Sequence, residues 1–294
     1  MIHFRKILFP IAFSEAAAAM ASSVREMAQR FNAAVTVLNA CNLAPEYISG
    51  PAPDAPCDSQ ERPTFFSPAL QEMRNQQERR LEEFARTHFS GIGHTERIEI
   101  GDPAAVIEWV AKCEGTDLIM MPTRGLGRFR RLLLGSVTSK VLHDITCPVW
   151  TSVHKSEPVS ALPLGYRSIL CAVVMNREED IVFDVASLFV QVYGARICLL
   201  HIQSTSDEQG TEYISQSVKQ AFKRVCVAGR EQVVPDVCER ILKTDLSEGI
   251  RQTALEQGAD LTIVGRGRER GSFSRGLSQL YTVIRESPCP VLSV

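Results

Sequence analysis

The sequence predicts an α/β protein made of two tandem, doubly wound, Rossmann-like domains, each a five-stranded, mostly parallel sheet with helices on both faces. Three observations carry this. The chain has 294 residues, more than one ordinary core organises. Its halves repeat each other, at an offset that changes once by a sizeable insertion in the first copy. Within each half, apolar runs of strand length alternate with segments of helical periodicity, the order that calls for parallel strands joined by crossover helices.

The repeat is read directly. Lys6-Ile7-Leu8-Phe9-Pro10-Ile11-Ala12 falls on Ser168-Ile169-Leu170-Cys171-Ala172-Val173-Val174 at an offset of 162, and Phe31 to Leu38 falls on Tyr193 to Leu200 at the same offset. Farther on, Val106-Ile107, Ala111, Gly115 and Asp117-Leu118 match Gly249-Ile250, Ala254, Gly258 and Asp260-Leu261 at 143, so the first copy is 19 residues longer between these anchors. The excess lies in Cys41 to Pro68, where prolines 45, 51, 53, 56, 63 and 68 forbid a regular helix or strand. Cys147-Pro148-Val149 then matches Cys289-Pro290-Val291 at 142. A period of half the chain is too long for a solenoid and marks duplicated domains. The domains run 1–154, with a loop insertion at about 41–68, and 167–294, joined by a linker at 155–166 that holds Pro158, Pro163 and Gly165.

In the first copy, strand Ile7 to Ile11 leads to a helix from Glu15 to Arg30 with Ser14 placed to cap it. Strand Val35 to Ala40 follows. After the insertion comes a helix with the apolar line Leu70, Met73, Leu81, Phe84 and Ala85. Strand Glu96 to Ile100, helix Ala104 to Lys112, strand Asp117 to Met121, a loop, helix Ser136 to His143 and strand Val149 to Val153 complete the copy.

With 45% hydrophobic and 22% charged residues the chain can bury sizeable cores. A formal charge of −2 provides no basic field for nucleic acid. No stretch approaches the ~18 apolar residues of a membrane helix. The nine cysteines form no C-x-x-C pair and do not cluster with the six histidines, which points to a reducing compartment, and so to the cytoplasm. Met1 to Phe13 imitates the basic and apolar parts of a signal peptide, but Pro10 breaks the run and its mid-chain counterpart identifies it as a first strand.

In a doubly wound sheet the ligand lies outside the carboxyl ends of the strands, where the strand order reverses. If the first and fourth strands flank that point, the loops to consider are Pro10 to Ser14 and Pro122 to Ser136. The second contains Arg124, Gly125, Gly127 and Gly135 before Ser136. Glycine lets a backbone approach phosphate oxygens, and a helix opening at Ser136 offers free N–H groups and a positive dipole end. On its own the loop fits either a phosphate cradle or a plain turn and helix start. Arg124, Arg128, Arg130 and Arg131 here, and Arg266, Arg268, Arg270 and Arg275 in the second copy, fit either anion capture or a solvated surface. No G-x-S-x-G elbow, H-E-x-x-H or G-K-[ST] loop is present, which disfavours an enzyme. Cys147 and Cys289 each precede a proline at a final strand and read as structural thiols.

The phrase Gly125, nine residues, Gly135-Ser136-Val137-Thr138, with Arg131-Leu132-Leu133-Leu134 before it and Cys147-Pro148-Val149 beyond, resembles the nucleotide-binding universal stress proteins, and Gly101-Asp102-Pro103 fits the same pattern. The resemblance covers nearly the whole chain. It implies an adenine-nucleotide alpha hydrolase-like fold, a stress-response role and ATP with magnesium as the ligand. Hydrolysis would be weak at most. The implied contacts are Pro10, Ile11, Ala12, Ala40, Met121, Arg124, Gly125, Gly135, Ser136, Val137 and Thr138, with a weaker second site at Gly265, Gly267 and Ser278. It also implies pairing of the domains through Val149 to Val153 and Val291 to Val294, and a homodimer. The sequence departs from the pattern at five positions. Pro122 replaces the family's first glycine, Ala12 and Val174 replace its first-strand aspartate, and Arg268 and Leu277 replace loop glycines of the second copy. The alternative is a nucleotide-independent interaction protein that uses the same fold for a protein or apolar ligand.

Overall fold

The computed structural model describes residues 3–42, 68–123, 134–152, 165–173, 179–202, 237–242, 244–266 and 273–294. Contacts divide the chain into two compact units, one built on Phe4–Val149 and the other on Pro163–Val294. The first comprises β1 (Lys6–Ile11), α1 (Glu15–Phe31), β2 (Ala34–Cys41), α2 (Pro68–Phe89), β3 (His94–Ile100), α3 (Pro103–Glu114), β4 (Leu118–Met121) and α4 (Ser136–Asp144), with β5 (Val149–Thr151) at its end. Its strand order is β3-β2-β1-β4-β5. The second comprises β6 (Ser168–Val173), α5 (Glu179–Tyr193), β7 (Arg196–Ile202), β8 (Val237–Leu242), α6 (Leu246–Gln257), β9 (Leu261–Val264), α7 (Phe273–Glu286) and β10 (Val291–Ser293). Its order, β10-β9-β6-β7-β8, is the same pattern, and the described registers of both units are parallel.

Strands covered by helices on both faces must be apolar throughout. Accordingly β4 and β9 are buried along their whole length. In the first unit Phe9, Leu38, Met20, Met27, Leu81 and Phe89 are fully buried, each contributing about 1.5–3 kcal/mol by leaving water. The apolar line expected on α2 packs inward through Leu81 and Ala85, and Phe84 meets the rings of Phe9 and Phe89 at 6.4 Å.

The helix ends follow from local chemistry. Ser14 Oγ accepts the Ala17 N–H at 3.2 Å at the start of α1. Asp102 caps α3 through the Ala105 N–H at 3.0 Å, with Pro103 in the first turn, where its missing N–H costs nothing. Gly115 closes that helix in the left-handed conformation. The Asp102–Gly115 frame explains why α3 starts before the expected Ala104 and outlasts Lys112. Asp245 and Gly258 frame α6 in the same way.

The two units also share a less obvious stitch. Asp117 accepts the Arg5 and Lys6 N–H groups at 2.8 and 3.0 Å, and Asp260 accepts those of Arg167 and Ser168 at 2.8 and 3.0 Å. Each carboxylate binds the start of its central strand to the start of the neighbouring one. The expected linker ends in Tyr166, which is 2% exposed and packs edge-on against Phe189 and Tyr193, so the second core begins inside it. Of the insertion expected at about 41–68, residues 43–67 lie outside the described residues, while its ends are regular: Cys41 closes β2 and Pro68 opens α2, where its missing N–H costs nothing.

Candidate functional site

From β1 the first unit adds β2 and β3 on one side and β4 on the other, so the order reverses between β1 and β4. The Lys6 carbonyl accepts the Asp117 N–H at 3.1 Å on the β4 side, while the Arg5 carbonyl accepts the Ala34 N–H at 2.8 Å on the β2 side. By the alternation of a strand, Lys6, Leu8 and Pro10 direct their main-chain groups toward β4. Pro10 has no N–H to give, and the β1–β4 register stops at Leu8↔Ile119. Beyond it the two strands lead into a crevice at their carboxyl ends.

In the second unit the Ser168 carbonyl accepts the Asp260 N–H at 2.7 Å, so Ala172, the counterpart of Pro10, faces β9 with an intact N–H. There the register continues through Cys171↔Ile263 to Ala172↔Val264. The strands there pair over two further residue pairs.

Around the first crevice, Pro10 and Ile11 are buried, Ala12 is exposed, and Phe13 takes a φ of 47°. A non-glycine residue adopts that conformation at a cost of roughly 1 kcal/mol or more. Phe13 is held by packing, with the Arg80 guanidinium 4.3 Å above its ring and Phe84 edge-on at 6.4 Å. On the β2 side the buried Asn39 donates from Nδ2 to the Ile11 carbonyl at 3.0 Å, while its Oδ1 accepts the Cys41 thiol at 3.2 Å. Burial pushes the Cys41 thiol up, with Arg74 pulling against it, so the sulfur stays protonated and donates. Ala40 is half-buried between these two residues.

The other wall is the end of β4 and the start of α4. Met121 is buried. The Pro122 carbonyl accepts the Thr138 hydroxyl at 3.2 Å and the Thr123 carbonyl accepts the Gly135 N–H at 3.0 Å, so the two ends of the glycine loop are tied together. Arg124 and Gly125 lie outside the described residues. Gly135 caps α4 with no side-chain bond, which leaves the opening N–H groups of Ser136, Val137 and Thr138 without an acceptor inside the helix. Gly135 has φ −59° and ψ 140°, values open to any residue. Backbone conformation therefore does not explain glycine here. Nearby, Asp102 receives the Lys140 ammonium at 3.2 Å, which joins the start of α3 to α4.

The structure does not reproduce this wall in the second unit. Ser278 sits in the second turn of α7, whose first residue is Phe273, where intrahelical bonding takes up its N–H, and its carbonyl accepts the Thr282 hydroxyl at 3.0 Å. Ser278 therefore does not open its helix as Ser136 does. α7 starts at Phe273 and runs through Gly276 and Leu277, so it begins five residues before Ser278. Gly265 is half-buried, and Gly267, Val174 and Arg268 lie outside the described residues. Arg266, grouped above with the loop arginines, is 2% exposed. Its Nε and guanidinium donate to the Ser293 hydroxyl and carbonyl at 3.2 and 3.1 Å, and its N–H to the Val294 carbonyl at 2.9 Å. It fastens the end of the chain and is not a surface anion trap.

Cys289 is buried and its thiol is pushed up by that burial, as a structural thiol requires and a nucleophile does not. Among the described residues no group of three or more His, Cys, Asp or Glu is placed to hold a metal ion, and no helix is long and apolar enough to cross a membrane. Sequence reasoning missed Asn39. The available signal was a lone amide at the end of an otherwise apolar strand.

Comparison with known proteins adds an independent line. The family model described as universal stress protein family matches residues 3–152 and again 165–294. A universal stress protein of Thermus aquaticus, from the region 3′ to a QAH/OAS sulfhydrylase, is 32% identical over 148 residues, 50% of this chain and 96% of that protein. One from Methanocaldococcus jannaschii is 30% identical over 146 residues, 50% of this chain and 80% of its own length. The crystal structure of a universal stress protein from Archaeoglobus fulgidus matches 99% of this chain and 97% of its own, with a TM-score of 0.71 at 22% identity.

Proposed function

Because the chain belongs to the universal stress protein family, we propose that its N-terminal domain binds an adenine nucleotide, ATP with magnesium, while the C-terminal domain keeps the scaffold without the site. The observation that carries this reading is Gly135, a glycine whose dihedral angles do not need one, at the uncapped start of α4. A side chain there would stand where a phosphate meets the helix N-terminus. The N–H groups of Ser136, Val137 and Thr138 would receive the phosphates. Ile11, Ala12 and Ala40, beside the Asn39 tie, would border the nucleoside. Magnesium would be held chiefly by phosphate oxygens and water, as that ion prefers. The bound nucleotide supplies the ligand chemistry, and the chain's own residues bind and orient it, with at most weak hydrolysis. Cytoplasmic operation as a homodimer belongs to the same reading.

The early end of the β1–β4 register and its continuation in β6–β9 support an asymmetric assignment. Ala12 favours a second reading, in which the crevice takes a protein or apolar ligand, because an exposed methyl replaces the carboxylate that nucleotide-binding relatives present. One lost side-chain hydrogen bond costs only about 1 kcal/mol, however, which is compatible with retained binding.

Isothermal titration of the full chain with ATP and magnesium tests the proposal. One nucleotide bound per chain supports it. No heat at millimolar nucleotide, with a lipid or nothing found by mass spectrometry of the natively purified protein, overturns it in favour of the second reading.

A further inference from the structure

We propose that the groove between α2 and the outer edge of β3 docks an extended, lysine- or arginine-bearing segment of another protein, which joins the sheet as an additional strand. β3 is the outermost strand of its unit, and its register with β2 runs unbroken from Val35↔His94 to Cys41↔Ile100. An outermost strand presents a row of unpaired main-chain donors and acceptors, which proteins blunt with proline, charged side chains, a bulge or a covering loop. β3 contains neither proline nor lysine and its register shows no bulge; its charged residues, Glu96, Arg97 and Glu99, line the groove beside it.

Alongside this edge lies a cavity of about 340 Å³ lined by Arg74, Glu78, Leu81, Glu82, Glu96, Arg97, Ile98 and Glu99, within the size range of ligand pockets. Leu81 and Ile98 form an apolar floor. The lining carries four glutamates against two arginines. Both arginines are already engaged, Arg74 with Glu78 at 2.8 Å and Arg97 with Glu99 at 2.7 Å and Glu114 at 2.6 Å. Glu82 has no ion-pair partner among the described residues, and Glu96 faces only the His94 ring, at 3.7 Å. Glu99 is 4% exposed and compensated by Arg97, as Glu78 is by Arg74, so the uncompensated negative charge of the groove rests on Glu82 and Glu96.

Charge complementarity therefore selects a basic occupant. A second copy of this chain would bring the same acidic edge and be repelled. Main-chain bonding to the strand edge would supply affinity, and alternate side chains reaching Glu82 and Glu96 would supply selectivity. The site is separate from the β1–β4 crevice and does not depend on nucleotide.

The test uses the full chain and fluorescein-labelled heptapeptides of alternating threonine and lysine, followed by anisotropy at low salt. Saturable binding is expected for the lysine peptide and none for its threonine–glutamate counterpart. The Glu82→Lys/Glu96→Lys double variant should weaken binding at least tenfold. N-methylation of alternate backbone amides in the peptide, which leaves its charge intact, should do the same without touching the protein. Equal binding of the N-methylated peptide, undiminished binding to the charge-reversed chain, or no binding at all would each overturn the proposal.

Discussion

Pro10 and Ala172 occupy the same post on equivalent strands, and only Ala172 carries its strand's pairing forward, to Val264. Pairing on the β4 side of β1 ends two residues short of Pro10. A single missing N–H thus separates an open carboxyl-end crevice from a closed one.

Replacing that proline shows whether the missing donor is the cause. In Pro10→Ala the restored ladder bond is worth about 0.5–1.5 kcal/mol, and the loss of proline's restriction of the unfolded chain offsets about 0.4–1 kcal/mol. Overall stability should hardly move. Hydrogen exchange should instead reveal a protected amide at position 10, and nucleotide affinity should fall severalfold. A freely exchanging amide there would mean that the crevice is held open by something else.

At the helix start, Gly135→Leu copies the residue found at 277. Its φ of −59° accommodates leucine, so the thermal midpoint should stay within a few degrees. Titration should show ATP affinity reduced at least tenfold, because both the added side chain and a backward extension of α4 remove the phosphate position. Wild-type affinity in a folded variant would refute the role given to this glycine.

Arg266→Met tests the clamp on the chain end. Hydrogen bonds to a charged group are worth about 1.5–3 kcal/mol. Losing the pair to Ser293 should lower the urea midpoint of the second unit by an amount equivalent to about 3 kcal/mol and speed removal of Val294 by carboxypeptidase. Nucleotide titration should be unchanged, which a phosphate-capturing arginine would not allow.

The cap of α3 has a pH signature. The Ala105 N–H holds the Asp102 carboxyl below the usual carboxylate range, with Lys140 adding to the effect. A carboxylate depressed by folding contributes stability that is complete above its unfolded pKa of about 4 and is lost as pH falls through the lower folded value. Asp102→Ala should therefore cost about 1 kcal/mol at neutral pH, and the gap to wild type should narrow in urea titrations run below pH of about 4. A gap that persists at pH 2 would assign the loss to something other than the charged cap.

Much of the fold was legible because it rests on local rules. The Ile7 and Ile169 runs, the Ser14 cap and the Gly101-Asp102-Pro103 signal are short-range patterns, and each appears in the structure where it was expected. That β1 lies beside β4 entered only as a condition in the sequence reading, because alternation of elements does not fix strand order, and the structure supplies it. Arg266 was misread because nothing in a run of loop arginines marks the one that turns inward to Ser293, a residue 27 positions away. The place of Ser278 was not legible, because alignment to Ser136 does not say where a helix starts: α4 begins at Ser136, whereas α7 begins five residues before Ser278. The Arg97–Glu99–Glu114 cluster was invisible for a similar reason, since its members come from a strand and a helix that only folding brings together.

The carboxylates of Asp117 and Asp260 have a further use. They perform the same stitch in two frames, one with an open crevice and one without. The polypeptide thus carries its own reference copy. Asp117→Ala and Asp260→Ala are matched lesions within one molecule, and a small molecule that rescues the first but not the second reports occupancy of the crevice, cleanly separated from any general tightening of the chain.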